Sequence, residues 1–421
     1  MAINSLSDTA FKKILSENFT PSATIKTPER LFGRDKALIT IDRAFASPGR
    51  QVFIYGDRGV GKSSLAETAA LLHQDSADAP IYVACANSGS FAEVLTAIGN
   101  ATMDIAKRVE LPGATGNYGA SMLGTGINFK PSEAKRISLP DAGTLSGALD
   151  IIRYVLSKRS GMQVIIIDEM ERIGDPKERA KFAEFIKNIP QLEERVRFIF
   201  CGIGTTVDEL IGAHPSAGRI LETISLEKLH HNYLWDIINN VANKTGILVA
   251  NEMFIRIGQI SDGFPHYVHL IGESMFWSAF DDDQIVTAMA PRHFKAGIAG
   301  ALARAEGVLR QQYQKATRKT KNTSDYEEAL WSVADTTSDS RQLSEIYESS
   351  YKRIMLKRQR ERPMLTKEVF NQRLLALKKD GHGAILKGYG SGWFGFRENI
   401  IRGYVRLMAE QEGVELGREI R

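Results

Sequence analysis

Four short apolar runs punctuate the first half of the chain: 51–55 (QVFIY), 80–85 (PIYVAC), 162–167 (MQVIII) and 197–202 (RFIFCG). They are continuous rather than alternating, the pattern of strands buried on both faces of a parallel sheet. Segments with helical spacing lie before and between them, at 36–45, 64–73, 91–109 and 178–188. Strands and helices in alternation with short turns predict an α/β parallel sheet. After residue 225 the pattern is helical only. Helices are predicted at 233–242 (stopped by Gly246), 252–260, 264–280 and 293–317, followed by a polar linker at 318–324. From 325 it changes again, with helices predicted at 326–333, 344–356 and 366–380. Thr366 caps the last of these, and Phe370, Leu374, Leu375 and Leu377 form its apolar side. Two short strands, 384–387 and 393–396, flank the Gly-rich turn 388–392, and 399–410 closes the chain as a helix. Three helices followed by a two-stranded wing predict a winged helix.

The divisions that follow are an N-terminal extension (1–25), an α/β core (26–225), a helical lid (226–300), a linker helix with linker (301–325) and a winged-helix-like domain (326–421). Within the core, 110–142 turns rich in Gly, Ser and Pro. We read it as an inserted β-hairpin or a mobile loop, of the kind that contacts a partner or an interface.

Composition alters this outline in one respect. The chain has 421 residues, 43% hydrophobic and 25% charged, ordinary globular values for two or three domains. Its net charge of +4 is unevenly placed, with 301–421 carrying +7 and 1–300 carrying −3. Between Tyr351 and Lys379 ten Lys and Arg stand against two acids. A polyanionic partner is therefore expected at the C-terminal end. The two cysteines, Cys85 and Cys201, lie in separate apolar runs and form neither a disulfide framework nor a metal site. With no signal-like N-terminus and no 18-residue apolar window, a cytoplasmic protein without membrane contact is expected.

The strongest chemistry follows the first strand. Gly56-Asp57-Arg58-Gly59-Val60-Gly61-Lys62-Ser63, with Ser64 opening a helix, is a GxxxxGKS phosphate loop in its required strand–loop–helix setting. Its glycines let the backbone approach phosphates, and its amides and the following helix end meet their charge. Lys62 is expected at the β- and γ-phosphates of ATP and Ser63 on Mg²⁺. The third strand ends in Asp168-Glu169, the pattern of a second Mg²⁺-holding carboxylate and a water-polarising base. Glu169 points to hydrolysis rather than passive binding.

With these motifs in place, 24–300 resembles the AAA+ and STAND P-loop ATPases, most closely origin-recognition initiators and transposition regulators. The resemblance implies a P-loop fold of the additional-strand, catalytic-glutamate type with a helical lid. It places Phe32 and Arg34, in Arg30-Leu-Phe-Gly-Arg-Asp35, on the adenine side. It makes Thr205 or Thr206 the γ-phosphate sensor, though the usual sensor Asn is missing. Arg219 falls where an arginine finger reaches a neighbouring subunit, the alternative being a plain surface Arg. Ser261-Asp262-Gly263-Phe264-Pro265-His266 falls at the lid's sensor region. There Pro265 and His266 stand where initiators carry an Arg, and Gly-Phe-Pro resembles the GxP of STAND switches. His266 reads equally as lid packing. Trp393 and Phe394 read as wing-core packing rather than base stacking.

Two functions follow from the resemblance and the basic C-terminal domain. One is an ATP-hydrolysing, oligomeric AAA+ protein binding double-stranded DNA through its winged helix, in replication, transposition or mobile-element biology. The other is a STAND-like nucleotide-gated signalling or defence switch whose C-terminal domain contacts protein. A third and weaker reading is an ATP-dependent adaptor.

Overall fold

The computed structural model describes residues 3–75, 77–103, 140–192, 194–213, 216–318, 321–358 and 362–417. Most of the Gly-rich segment 110–142 lies outside the described residues. The chain divides into two compact units. One comprises Lys36–Gly56 and Lys62–Ser225, the other Met1–Asp35, Asp57–Gly61 and Leu226–Arg421.

The first unit is built on five parallel strands: β1 (Gln51–Tyr55), β2 (Ile81–Ala84), β3 (Gln163–Asp168), β4 (Val196–Gly202) and β5 (Leu221–Ser225). Their order is β2-β3-β4-β1-β5. All neighbours run parallel, with Val52 opposite Ile199 and Ala84 opposite Asp168. β3 and β4 are buried along their full length, as their unbroken apolar runs predict. The helices of this unit are α2 (Asp35–Phe45, from Lys36 on), α3 (Lys62–His73), α4 (Phe91–Asn100), α5 (Leu145–Lys158), α6 (Pro176–Asn188), α7 (Gly204–Ala213) and α8 (Ala217–Ile220); α1 belongs to the other unit. The core includes a ladder of rings: Phe91 meets Phe182 edge-on at 4.9 Å, and Phe198 stacks on Phe200 at 5.8 Å. Fully burying such a side chain contributes about 1.5–3 kcal/mol.

The second unit is almost entirely helical. α1 (Asp8–Asn18) precedes α9 (His231–Thr245), α10 (Asn251–Ser261), α11 (Pro265–Phe280), α12 (Pro291–Arg304) and α13 (Gly307–Thr317). α1 escapes the sequence reading, yet its Phe11 is wholly buried, stacked on Phe280 at 4.1 Å. The single helix expected over 293–317 is two. Ala305 and Glu306 are extended between them, and Arg310 Nη2 donates to the carbonyls of Leu302 (3.0 Å) and Ala303, satisfying the last turn of α12.

The C-terminal part runs α14 (Thr323–Ala334), β6 (Arg341–Gln342), α15 (Leu343–Glu345), a π-helical stretch (Ile346–Tyr351), α16 (Lys352–Lys357), α17 (Lys367–Leu377), β7 (Leu386–Gly388), β8 (Trp393–Phe396) and α18 (Ile400–Gln411). The strands form a small antiparallel sheet, β6-β8-β7. This is the element order expected of a winged helix, with a short extra strand. Thr366 caps α17 by accepting from the Val369 amide. Phe370, Leu374 and Leu377 are buried on one stripe, whereas Leu375, a helical step off that stripe, is 43% exposed. Alternation along β8 likewise divides the aromatic pair: Phe394 packs inside at 3% exposure, while Trp393 faces out at 39%. The expectation that Trp393 packs in the wing core is thus corrected.

Candidate functional site

Within the sheet unit, β1 and β3 end at the same edge, separated by β4. Lys62 and Ser63 open α3, so the Lys62 ammonium and Ser63 hydroxyl stand at its N-terminal end. Lys62 is buried, and its Nζ donates to the Gly56 carbonyl at 2.9 Å. Ser63 Oγ donates to Asp168 Oδ2 at 2.5 Å, joining the two motifs of the sequence, 105 positions apart.

Asp168 is 2% exposed, and its carboxylate accepts three hydrogen bonds. These come from Ser63 Oγ, from Tyr82 Oη at 2.8 Å and from the Glu169 amide at 2.7 Å. Tyr82 is the residue that sequence reading missed. It sits on β2 beside β3, on the outward side of the alternating Ile81–Ala84, with Ala84 in register with Asp168. Burial, and then the neighbouring Asp168 charge, push the Tyr82 phenol far above its usual range. It therefore stays a neutral donor to the carboxylate. The placement of an aromatic hydroxyl on the strand next to the acidic one is the signal that would have found it.

Glu169 is held in the left-handed region at φ 58°, a sparsely populated conformation for a non-glycine residue. The strand therefore ends in a sharp turn at Glu169. Glu169 Oε1 pairs with Arg172 Nη2 at 2.9 Å. Thr205 is exposed and Thr206 is buried at the start of α7, directly after β4. Arg219 is exposed on α8.

Ser63 and Asp168 offer two hard oxygens at one point of the sheet edge. That donor set fits Mg²⁺, which takes one or two protein oxygens and completes its shell with water and phosphate.

The remaining candidates lie in the helical unit. Among the loop-tip residues Asp57–Gly61, Gly59 (φ +85°) and Gly61 (φ +98°) adopt backbone that side-chain-bearing residues rarely take. Arg34 is buried, and its Nη2 donates to the Val60 and Glu227 carbonyls, each at 2.8 Å. Burial lowers its pKa to about 10. Arg34 thus ties Val60 of the loop tip to Glu227, in the segment that leads into α9. Phe32, two residues earlier in the chain, is half-buried. Pro265 opens α11, and His266 Nδ1 lies 3.1 Å from the Pro21 carbonyl, with burial lowering its pKa. Arg58 pairs with Glu306 at 2.8 Å and Glu398 at 3.7 Å.

In the C-terminal part, much of the basic run is turned inward. Arg353 pairs with Asp335, Arg358 with Glu328 (3.0 Å), Arg362 with Asp325 (2.8 Å) and Glu328 (2.9 Å), and Arg373 with Asp325 (3.0 Å). The surface charge is smaller than the sequence count. Lys357, Lys378, Lys379 and Lys387 remain exposed, with Tyr389 and Trp393 on the hairpin.

Residues 47–210 match the family model described as an AAA domain. No curated protein matches the chain. Among solved structures, a Walker-type ATPase of Pyrococcus abyssi is similar at TM-score 0.51 and 13% identity, covering 91% of this chain and 99% of its own. The ORC2 protein of Aeropyrum pernix superposes at 0.49 and 12%, covering 94% and 98%. Cdc6p of Pyrobaculum aerophilum does so at 0.47 and 14%, covering 99% of both. The AAA+ resemblance carried by the Walker motifs is thus matched by a family model over the segment that contains them. The P-loop fold is shared with the Pyrococcus ATPase.

Proposed function

We propose that this chain binds ATP with Mg²⁺ and hydrolyses it, and that its C-terminal winged helix binds double-stranded DNA. The observation that carries the ATPase reading is the Ser63–Asp168 hydrogen bond of 2.5 Å with Glu169 following directly. Gly56 to Ser64 would cradle the phosphates through backbone amides, with Lys62 as a point charge on the β- and γ-oxygens. Ser63 and Asp168 would hold the metal, which when bound neutralises charge developing on the transferred phosphate. Glu169, oriented by Arg172, would polarise the attacking water. Thr205 or Thr206 would sense the γ-phosphate, and Arg219 would act on the nucleotide of a neighbouring copy in a homo-oligomer. Phe32, Arg34, Pro265 and His266 would serve the nucleotide from the lid side. In that reading 26–225 is the ATPase core, 226–300 the lid and 326–421 the DNA-binding domain of a cytoplasmic protein. The DNA reading is supported by exposed Lys378, Lys379 and Lys387 beside Tyr389 and Trp393.

The second reading, a STAND-like switch contacting a protein partner, is favoured by Gly263-Phe264-Pro265 and by the inward pairing of four arginines. The deciding experiment is ATP turnover by the full chain with and without duplex DNA across salt, with mass followed by light scattering. Turnover and assembly stimulated by DNA and weakening with salt would support the DNA-dependent ATPase. Slow turnover by a monomer indifferent to DNA would favour the switch. No nucleotide binding at all would overturn both.

A further inference from the structure

The tip of the phosphate loop, Asp57–Gly61, belongs with the helical unit rather than with the strand and helix that flank it. Its partners explain why. Asn399 Nδ2 donates to Asp57 Oδ2 at 2.8 Å. Arg58 pairs with Glu398 on one side and Glu306 on the other. At Gly59 a Cβ would lie 2.5 Å from Ile400 Cδ1. Three consecutive loop residues therefore meet three consecutive residues, Glu398, Asn399 and Ile400, at the start of α18. These residues are more than 300 positions away in the chain, in the C-terminal module.

That end of α18 is itself firmly seated. The Ile400 carbonyl accepts from Tyr267 Oη at 2.6 Å, and Tyr267 is fully buried on α11. One turn on, Arg402 is wholly buried and donates to the Thr337 carbonyl (2.8 Å) and the Ser338 carbonyl (3.0 Å). Asn399 projects from a fixed support, and a fixed donor constrains the loop residue it holds.

We infer that Asn399, with Glu398 and Ile400, is a positioning residue for the phosphate loop, so that the C-terminal module sets the affinity of the loop for nucleotide. The physical basis is preorganisation. A loop whose tip is already held loses less conformational freedom when its amides close on phosphates. The inference rests on the nucleotide-binding reading of this loop.

The test uses the full chain and ATP binding by isothermal titration calorimetry, with turnover measured in parallel. Asn399→Ala is expected to weaken ATP binding about 5-fold, the scale of one hydrogen bond to a charged group reduced by partial exposure. Turnover at saturating ATP should be unchanged, because Asn399 touches no reacting atom. Asn399→Asp sets a carboxylate against Asp57 and should weaken binding further. In an Asp57→Ala background, Asn399→Ala should change affinity by less than about 2-fold, since its partner is gone. The cycle stays readable if Asn399→Ala loosens the C-terminal module, because that general loss would persist without Asp57. Unaltered affinity in Asn399→Asp, or an equal loss with and without Asp57, overturns the inference while the nucleotide site stands. Failure of the unmutated chain to bind ATP overturns both.

Discussion

Replacing Asp262 tests how much the helical unit relies on buried charge. Asp262 lies in the Gly-Phe-Pro segment, 4% exposed, between two guanidinium groups that are themselves fully buried. Its Oδ2 meets Arg402 Nη1 at 3.1 Å and Lys228 Nζ at 3.2 Å, and its Oδ1 meets Arg406 Nη1 at 3.2 Å. If the carboxylate goes, Arg402 and Arg406 keep their backbone carbonyl partners and Arg402 keeps Asp339 at 3.1 Å, but the two lose the counter-charge they share. For Arg406, burial presses its pKa down and Asp262 is the largest influence raising it. Breaking a buried pair by removing one partner costs about 3–5 kcal/mol. Asp262→Asn keeps shape and some hydrogen bonding, so about 3 kcal/mol is expected. Asp262→Ala should cost about 1 kcal/mol more, because the position is left-handed (φ 51°), where Asn is tolerated and Ala is not. The assay is urea unfolding followed by tryptophan fluorescence. All four tryptophans (Trp235, Trp277, Trp331 and Trp393) lie in the helical unit, so the signal reports that unit. A cost below about 1 kcal/mol for Asp262→Asn would show that this charge cluster does not hold the end of α10 to α18.

Other expectations concern the sheet edge and pH. Glu169→Gln should keep ATP affinity while slowing hydrolysis at least about 100-fold, and Lys62→Ala should abolish binding; hydrolysis at the normal rate by Glu169→Gln would remove it as the base. Tyr82→Phe deletes one of three donors to Asp168 and should weaken Mg²⁺ dependence of turnover about 10-fold in apparent metal affinity, as loss of an outer hydrogen bond does elsewhere; an unchanged Mg²⁺ titration would leave Tyr82 without an orienting role. Burial lowers the pKa of His269 to about 3, against about 6.5 when unfolded. Between those values the unfolded chain binds the extra proton, so stability is full above about pH 6.5 and falls as pH drops toward 3. Urea midpoints at pH 7 and pH 5 should differ, and the difference should shrink in His269→Gln.

The motifs that define the sheet edge were legible because they are local. A buried strand must be apolar throughout, and a phosphate loop must carry glycines and Lys-Ser in order, so β1, β3 and β4 emerged nearly to the residue. What was not legible depends on pairing at a distance. Tyr82 looks like any β-strand aromatic until the register sets β2 against β3 and brings its hydroxyl to Asp168. The arginines at 353, 358, 362 and 373 resemble a phosphate-binding run because Asp325, Glu328 and Asp335, which neutralise them, lie well before them in the chain, in and just after α14. The break at Ala305–Glu306 is marked only by the single Gly307, with no Pro, and it is stabilised by Arg310 from the following helix. Asn399 gave no sign at all, because nothing in a local pattern connects the start of a closing helix to residue 57.

The strand order carries a consequence for how the molecule comes into being. β4 lies between β1 and β3, so the strand bearing the phosphate loop and the strand bearing Asp168 are never neighbours. As the chain leaves the ribosome, β1 appears first, yet both of its sheet partners, β4 and β5, arrive more than 140 residues later. Until Val196–Gly202 is made, β1 has no edge to join, and Ser63 has nothing to fix it against Asp168. Nucleotide can then offer no mass-action help to the first 195 residues. Sheet closure by non-local parallel pairing is a slow class of folding event, and the exposed apolar β1 is the segment that a chaperone would have to cover in the meantime.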